Sequence, residues 1–468
     1  MAATARSPSR ELRFSRITDL ARLLRARKVS ALELTRDALT RLEAEGPGYN
    51  AVAELTPDLA EEQARRADRA LRKGAESRLT GVPYGAKDML PVKGVPTRWG
   101  SAAFADQVFD YDAAVIERLR AAGAPLAAKL TMVEFGGPGG YRNARACATG
   151  PVLNPWDRSH WAGGSSSGSA AAVAAGLVPF ALGADTMGSL MTPSAFCGVT
   201  GFRPSFGAVS NFGAMELAWS MDRIGPIARS AEDCALIAAH LIGKDPRDPI
   251  SVDVSLRPSR LRRKQLRVGV LASDLSFAPA TAGALDDAIR VFRGLGARIR
   301  RVALPDRNYI AIGRAIIAGE VGAAHEAFIR SPGLKLFQDD VQQRGVGGFL
   351  TQPLFAYVRA LHERAYAVQE IRGLFRDLDV VLAPTAPGES PSIDTDLTVG
   401  AEIWRGPFAS IGALAGLPAV SVPMGFGPKR LPLGMAIIGD LYADATVLRV
   451  AAMYQSETDW HDRHPDLS

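Results

Sequence analysis

The sequence predicts an α/β fold: a single large mixed, mostly parallel β-sheet core covered by helices on both faces. Three observations carry this. Between residues 79 and 230 short apolar runs alternate with helical stretches and glycine-rich turns, as when strands are joined by crossover helices. Residues 267–303 read as strand, helix, strand, the pattern of a right-handed βαβ unit. Three more apolar runs, at 377–384, 416–423 and 433–439, are bounded by turn residues and complete the sheet from the C-terminal side.

The elements follow in order. Apolar residues recur at helical spacing over 17–43 with a break at Val29-Ser30, so two amphipathic helices are expected, the second capped by Ser30. A third is expected over 57–73, where EEQARRADRALRK places Glu and Arg four residues apart on a wet face. In AAVIERLRAAGAPLAAKL a helix stops at Gly123 and a strand follows over 125–130. LVPFALGADT reads as a buried strand ending at Gly183; 231–242 reads as helix, and 267–271 and 297–303 as strands around a helix at 282–295. The stretch 307–376 is helical and of mixed polarity. No internal repeat of fixed period is visible. The chain is therefore read as one domain, 1–468, with N-terminal helices within 1–75, a chemistry-bearing region at 79–230 and a helical insertion at 300–376 that caps a site.

Composition limits what such a fold does. Of 468 residues, 47% are hydrophobic and 22% charged, ordinary globular values that exclude disordered, collagen-like and coiled-coil chains. The 55 basic side chains exceed the 49 acidic ones by six, without basic runs interleaved with aromatics, so nucleic acid is not an expected partner. The densest basic piece, 257–264 (RPSRLRRK), reads as a solvated connection. Cys147, Cys197 and Cys234 form no CxxC pair and indicate neither a disulfide framework nor a metal site, which fits a reducing, cytoplasmic setting. Arg6, Arg10 and Arg13 precede no unbroken apolar stretch, and no segment reaches the ~18 apolar residues of a membrane span, so no membrane association is expected.

Three short segments carry chemistry. In HWAGGSSSGS (160–169) the run Gly164-Ser165-Ser166-Ser167-Gly168 satisfies G-x-S-x-G, which would make Ser166 the nucleophile of a strand–turn–helix elbow. Residues 157–162 are a poor strand, and no later histidine lies in a glycine-rich loop, so the elbow is disfavoured. A flexible linker fails because the run passes at once into an Ala/Val helix, and a P-loop fails because no Gly-Lys-Ser/Thr follows. An anion or oxyanion cradle of backbone N–H groups remains. In GVPYGAKDML (81–90) one lysine stands inside an apolar, strand-like run, where desolvation lowers its pKa and leaves a usable neutral base. Taken alone, such a lysine more often snorkels outward or pairs with its neighbour, here Asp88. GADTMGSLMTP (183–193) presents a serine among successive N–H groups after an apolar run; alone it is an ordinary turn in which Asp185 makes a local bond.

In this order and spacing the three segments resemble the amidase signature family of serine hydrolases, which use Ser-Ser-Lys in place of Ser-His-Asp. The family pattern has G-[IV]-P-x-x-x-K-D, GGSSGGS and D-T-G-G-S-I-R; here these read GVPYGAKD, GGSSSGS and DTMGSLM. FCGVTGFRPSFGAVS, DRIGPIARSAEDCALI, DVVLAPTAPGESPSI, LAGLPAVSVPMGFG and the N-terminal ITDLARLLRARKVSALEL also look like family segments, so the resemblance covers most of the chain and is weakest over 300–376. It implies that Ser189 is the nucleophile, Ser165 the bridging serine on a cis peptide, and Lys87 the base. The 24 residues from Ser165 to Ser189 select Ser165 over Ser166. Ser189 would lose its proton through the Ser165 hydroxyl to Lys87. The N–H groups of Thr186, Met187, Gly188 and Ser189 would face the oxyanion. Ser166 would support Lys87, and Asp185 and Thr186 would brace the nucleophile turn. No direct role is expected for Ser167, which stands where the family has glycine.

Met187 replaces a glycine in the oxyanion turn and Met191 an arginine after the nucleophile, changes that favour an apolar over a carboxylated substrate. By position Tyr84, Met89, Phe135, Gly136, Gly137 and Tyr141 resemble the family's acyl-pocket segments, with Met191 beside them. The resemblance thus implies a hydrolase of the C–N bonds of small apolar or aryl amides, with carbamates and esters open to the same acyl-enzyme chemistry and no metal or organic cofactor required. The alternative is a glutamine-hydrolysing subunit that passes ammonia to a partner acting on charged tRNA. Oligomeric state is left open, a homodimer included.

Overall fold

The structure, a computed structural model, describes residues 12–257, 259, 261–271, 277–399 and 407–467. Arg6, Arg10 and two residues of the basic piece 257–264 lie outside these. The N-terminal helices form as the sequence requires. Ile17–Arg25 buries Ile17, Leu20, Ala21 and Leu24 on one face, and Ala31–Glu45 starts at a capping box in which Ser30 accepts from the Glu33 N–H and the Glu33 carboxylate accepts from the Ser30 N–H. Such a cap contributes about 1 kcal/mol. The third helix, Pro57–Arg72, follows. A short strand, β1 (Val52–Leu55), lies inside this N-terminal region, where the sequence pattern predicts only helices.

The strands continue as β2 (Tyr84–Lys87), β3 (Leu126–Leu130), β4 (Leu153–Asn154), β5 (Asp157–Trp161), β6 (Phe180–Asp185), β7 (Thr200–Arg203), β8 (Arg223–Ala228), β9 (Arg267–Leu271), β10 (Arg298–Val302), β11 (Val380–Pro384), β12 (Ala419–Phe426) and β13 (Pro432–Ile438). Eleven of them form one sheet in the order β1-β3-β2-β6-β8-β7-β12-β13-β11-β9-β10, while β4 and β5 make a separate ribbon. The sheet is mixed but not mostly parallel. Six of its neighbour pairs are antiparallel and four parallel. Helix-free connections are the reason: residues 204–222 return the chain from β7 to β8, and 427–431 from β12 to β13, each in the opposite direction. The crossover from β6 to β7 is helical as expected, but β8 inserts between its two strands. The β9–helix–β10 unit is parallel and adjacent, as predicted.

Helices Ala231–Leu241, Pro279–Gly294 and Asp444–Gln455 pack on the sheet, as do Ser167–Ala174 and Met191–Cys197. One continuous apolar core joins sheet and helices. The insertion begins after β10, which takes up residues 300–302 of the expected range, and consists mainly of Tyr309–Ala324, Asp340–Gly348 and Leu354–Gly373. β2 and β6 are parallel neighbours, so their C-terminal ends deliver Lys87 and the turn after Asp185 to the same edge of the sheet, where clefts of open α/β sheets form.

Candidate active site

Lys87 closes β2 between β3 and β6, and its side chain is 1% exposed. It does not pair with Asp88: that carboxylate accepts from the buried Lys129 ammonium at 2.9 Å and from the Arg98 N–H. Among the described residues no carboxylate lies within ion-pair distance of Lys87. Burial therefore dominates and pulls its pKa from 10.5 to about 7, against the more distant fields of Asp185 and Asp222. Its Nζ donates to Ser165 Oγ at 2.8 Å. Ser165 follows a cis peptide bond, and its carbonyl accepts from the Val133 N–H. A neutral amine carries a lone pair, so the contact can also run in reverse, with Ser165 giving its proton to Lys87.

Ser166 is not the partner of Lys87 that the resemblance implies. Its hydroxyl accepts from the Ala184 N–H and donates to the Ala184 carbonyl, both at 3.1 Å, and its N–H donates to the Ser189 carbonyl at 3.0 Å. It thus ties the serine turn to the end of β6 and to the turn of Ser189. Residues 157–161 do form a strand, contrary to expectation, but in the β4–β5 ribbon outside the main sheet. With Ser166 at 0% exposure, the elbow lacks its exposed nucleophile. Ser167 begins the following helix with a buried hydroxyl that has no protein partner among the described residues.

β6 runs to Asp185, two residues beyond the expected end, and hands over to the turn of Ser189. The Asp185 carboxylate accepts from the Gly188 N–H at 2.9 Å, the Leu190 N–H at 3.0 Å and the Met191 N–H at 3.3 Å, and from Arg203 at 3.1 Å. Burial works to raise its pKa, but the Arg203 and Arg223 guanidiniums and these N–H bonds hold it below the usual carboxylate range. The turn is therefore pinned from inside. One consequence departs from the sequence reading: the Gly188 N–H is committed to Asp185 rather than to an oxyanion. The N–H groups of Thr186, Met187 and Ser189 have no protein acceptor among the described residues. Thr186 braces the turn through its hydroxyl, which donates to Asp222 at 2.5 Å.

Ser189 is partly exposed and opens on a cavity of about 600 Å³. Gly136, Gly137, Tyr141, Trp161, Thr186, Met187 and Gly188 line it, and so do Arg314, Ile317, Val341 and Phe349 from the insertion. Four expected pocket residues lie elsewhere. Tyr84 is buried in β2 with its ring stacked on Phe180. Met89 borders a separate cavity of about 210 Å³. Phe135 is buried among Trp99, Phe104, His325, Phe328 and Phe337. Met191 starts the helix after the Ser189 turn and sits in the apolar core, 1% exposed. The lost arginine is replaced by packing, not by pocket lining.

Sequence reasoning missed several supports. Asp222 lies one strand away, beyond any local motif; burial lifts its pKa to about 6 while Thr186, Leu217 and Ala218 donate to it. Arg203, fully buried, comes from β7. Glu134, also buried, accepts from the Ser101 hydroxyl and the Gln338 N–H, joining the glycine loop to the insertion, and burial raises its pKa to about 7. Among the described residues no His/Cys/Asp/Glu group is arranged to hold a metal ion, and no helix is long and apolar enough to cross a membrane.

Comparison with known proteins places the chain as a whole. The chain is 37% identical over 482 residues to a glutamyl-tRNA(Gln) amidotransferase subunit of Methylococcus capsulatus, a match covering 96% of this chain and 98% of the relative. Its fold is similar to that of the native peptide amidase of Stenotrophomonas maltophilia, with TM-score 0.85, 29% identity and coverage of 95% of this chain and 97% of that one. A bacterial aryl acylamidase of the amidase signature enzymes gives TM-score 0.87 at 26% identity, covering 96% and 97% of the two chains. A family model described as Amidase matches residues 33–448, most of the chain. On these grounds the chain belongs to the amidase signature family.

Proposed function

We propose that this protein is an amidase that hydrolyses the C–N bonds of apolar or aryl amides through an acyl-enzyme on Ser189, with carbamates and esters as further substrates of the same chemistry. The observation that supports it most is the Lys87–Ser165 hydrogen bond, made by a fully buried lysine that is half neutral near pH 7. Ser189 Oγ attacks the substrate carbonyl carbon while its proton passes to Ser165 Oγ and the Ser165 proton to Lys87 Nζ. The developing oxyanion faces the N–H groups of Thr186, Met187 and Ser189, where a good donor contributes about 3–4 kcal/mol. Collapse breaks the C–N bond, and the relay run backwards protonates the leaving amine. Water then enters, gives its proton to the same relay, and releases the acid. The insertion after β10 acts as a cap that supplies the apolar wall of the cavity. The chemistry calls for no metal or cofactor.

The chain's similarity to the amidotransferase subunits supports a second reading, a glutamine-hydrolysing subunit working with a partner on charged tRNA. Arg314, the one charged side chain among the described residues lining the cavity, is chemically suited to a substrate carboxylate. The Met191 replacement no longer weighs against this reading, because Met191 does not reach the cavity. Purified chain is assayed against an aryl-amide panel and glutamine. Turnover of p-nitroanilides without a partner supports the amidase. Turnover of glutamine alone, dependent on a partner and weakened by Arg314→Ala, overturns it in favour of the amidotransferase reading.

A further inference from the structure

The segment Glu216–Asp222 lies between the insertion and the nucleophile turn, and each of its faces is gripped by side chains of a different region. On the inner face Asp222 holds Thr186 of the oxyanion turn at 2.5 Å and is itself fixed by the Leu217 and Ala218 N–H groups at 2.7 and 2.9 Å. On the outer face Glu320, from helix Tyr309–Ala324, accepts the Ser220 N–H at 3.0 Å, with Tyr357 donating to its other oxygen at 3.4 Å. Arg364, from helix Leu354–Gly373, donates to both the hydroxyl and the carbonyl of Ser220 at 2.7 Å, and to the Leu414 carbonyl at 2.9 Å. Only Met221 separates Ser220 from Asp222. The two faces are linked by a short hydrogen-bonded stretch: the Leu217 and Ala218 N–H groups end on Asp222 and the Ser220 N–H on Glu320. The insertion also approaches the turn directly: a Cβ at Gly313 would stand 2.7 Å from the Sδ and Cε at the end of the Met187 side chain.

We propose that Glu320 and Arg364 are positioning residues for catalysis, acting through Ser220 and Asp222 to hold Thr186 and the oxyanion N–H groups of the Ser189 turn in register. Neither side chain lines the cavity, so the effect falls on transition-state stabilisation and not on substrate affinity. The inference rests on the assignment of Ser189 as nucleophile and of this turn as its oxyanion site. A displacement of donors by a fraction of an ångström is enough to weaken them, and the insertion thereby completes the catalytic constellation as well as roofing it.

The test measures kcat and KM for an aryl amide in Glu320→Ala, Glu320→Gln and Arg364→Ala, with thermal melts to confirm folding. Glu320→Ala and Arg364→Ala are expected to lower kcat at least tenfold with KM within twofold, while Glu320→Gln, whose amide oxygen still accepts the Ser220 N–H, stays within threefold of the parent. A cycle with Thr186→Val separates coupling from general damage: the double variant Thr186→Val/Glu320→Ala should be no more than twofold worse than its more impaired single variant. A parent-like kcat in Glu320→Ala, or fully additive losses, overturns the inference. If Glu320→Ala does not fold, Arg364→Ala carries the test, since it removes the bonds to both the hydroxyl and the carbonyl of Ser220; a kcat lowered threefold or more with KM unchanged supports the coupling, and an unchanged kcat overturns it. Failure of the underlying assignment reads differently, as activity that survives Ser189→Ala.

Discussion

Replacing Lys87 by methionine should abolish activity and stabilise the fold, and the size of the second effect follows from the site. Burial pulls Lys87 from 10.5 to about 7. In the unfolded chain the amine stays protonated up to its ordinary pKa, so between about pH 7 and 10.5 the unfolded state binds one proton that the folded state does not. Stability contributed by this position therefore rises with pH across that window and is lowest below it. At 1.36 kcal/mol per pK unit, Lys87 costs the fold about 4 kcal/mol at pH 7 and about 2 kcal/mol at pH 9. Methionine is apolar, flexible and of similar length, so it removes the cost while filling the space, at the loss of one hydrogen bond to Ser165 of about 1 kcal/mol. Urea denaturation followed by tryptophan fluorescence should show Lys87→Met more stable than the parent by about 3 kcal/mol at pH 7 and by about 1 kcal/mol at pH 9. A constant difference across this range, or a destabilised variant at pH 7, would refute a neutral buried lysine. Trading stability for a functional group in this way is common at active sites.

Other outcomes follow from the same geometry. Ser189→Ala should lower kcat/KM at least about 10³-fold, leaving only what the oxyanion donors and binding supply, whereas Ser166→Ala should keep its nucleophile but lose about 1–3 kcal/mol of stability as the Ala184 N–H and carbonyl are left unpaired, readable as a lower melting temperature. The pH profile of kcat/KM for an aryl amide should rise tenfold per pH unit below about 7 and level off above it, since the base works only when neutral; a flat profile from pH 6 to 9 would count against the relay. Asp185→Asn should remove the carboxylate paired with the buried Arg203 and cost about 3–5 kcal/mol, measured by the same denaturation series. A loss below 1 kcal/mol would mean that the turn is held by other means.

What the sequence revealed and what it hid follow from how local each signal is. The Ser30 cap, the helix stop at Gly123 and the β9–helix–β10 crossover depend on neighbours a few residues apart, and the structure has all three. The sense of the sheet depends on where a returning strand lands, and nothing in Arg223–Ala228 announces that it inserts between β6 and β7. Lys87, Ser165 and Ser189 stood out only because one strand-like run and two turns, in their order and spacing, resemble a family pattern; the structure puts Lys87 and Ser165 in contact and opens Ser189 on the cavity. Tyr84, Met89, Phe135 and Met191 were misplaced because an apolar side chain in a strand or loop says nothing of which side it faces. Asp222 and Glu320 act through partners 36 and 100 residues away, a distance at which a single sequence carries no signal.

The most direct test is the pH dependence of covalent labelling by an organofluorophosphate, with the modified peptide mapped by mass spectrometry. A Lys87–Ser165–Ser189 relay predicts a single adduct on Ser189, a labelling rate that follows one ionisation near pH 7, and loss of that rate in Lys87→Ala. An adduct on Ser166, or labelling of Ser189 that is independent of both pH and Lys87, would contradict it.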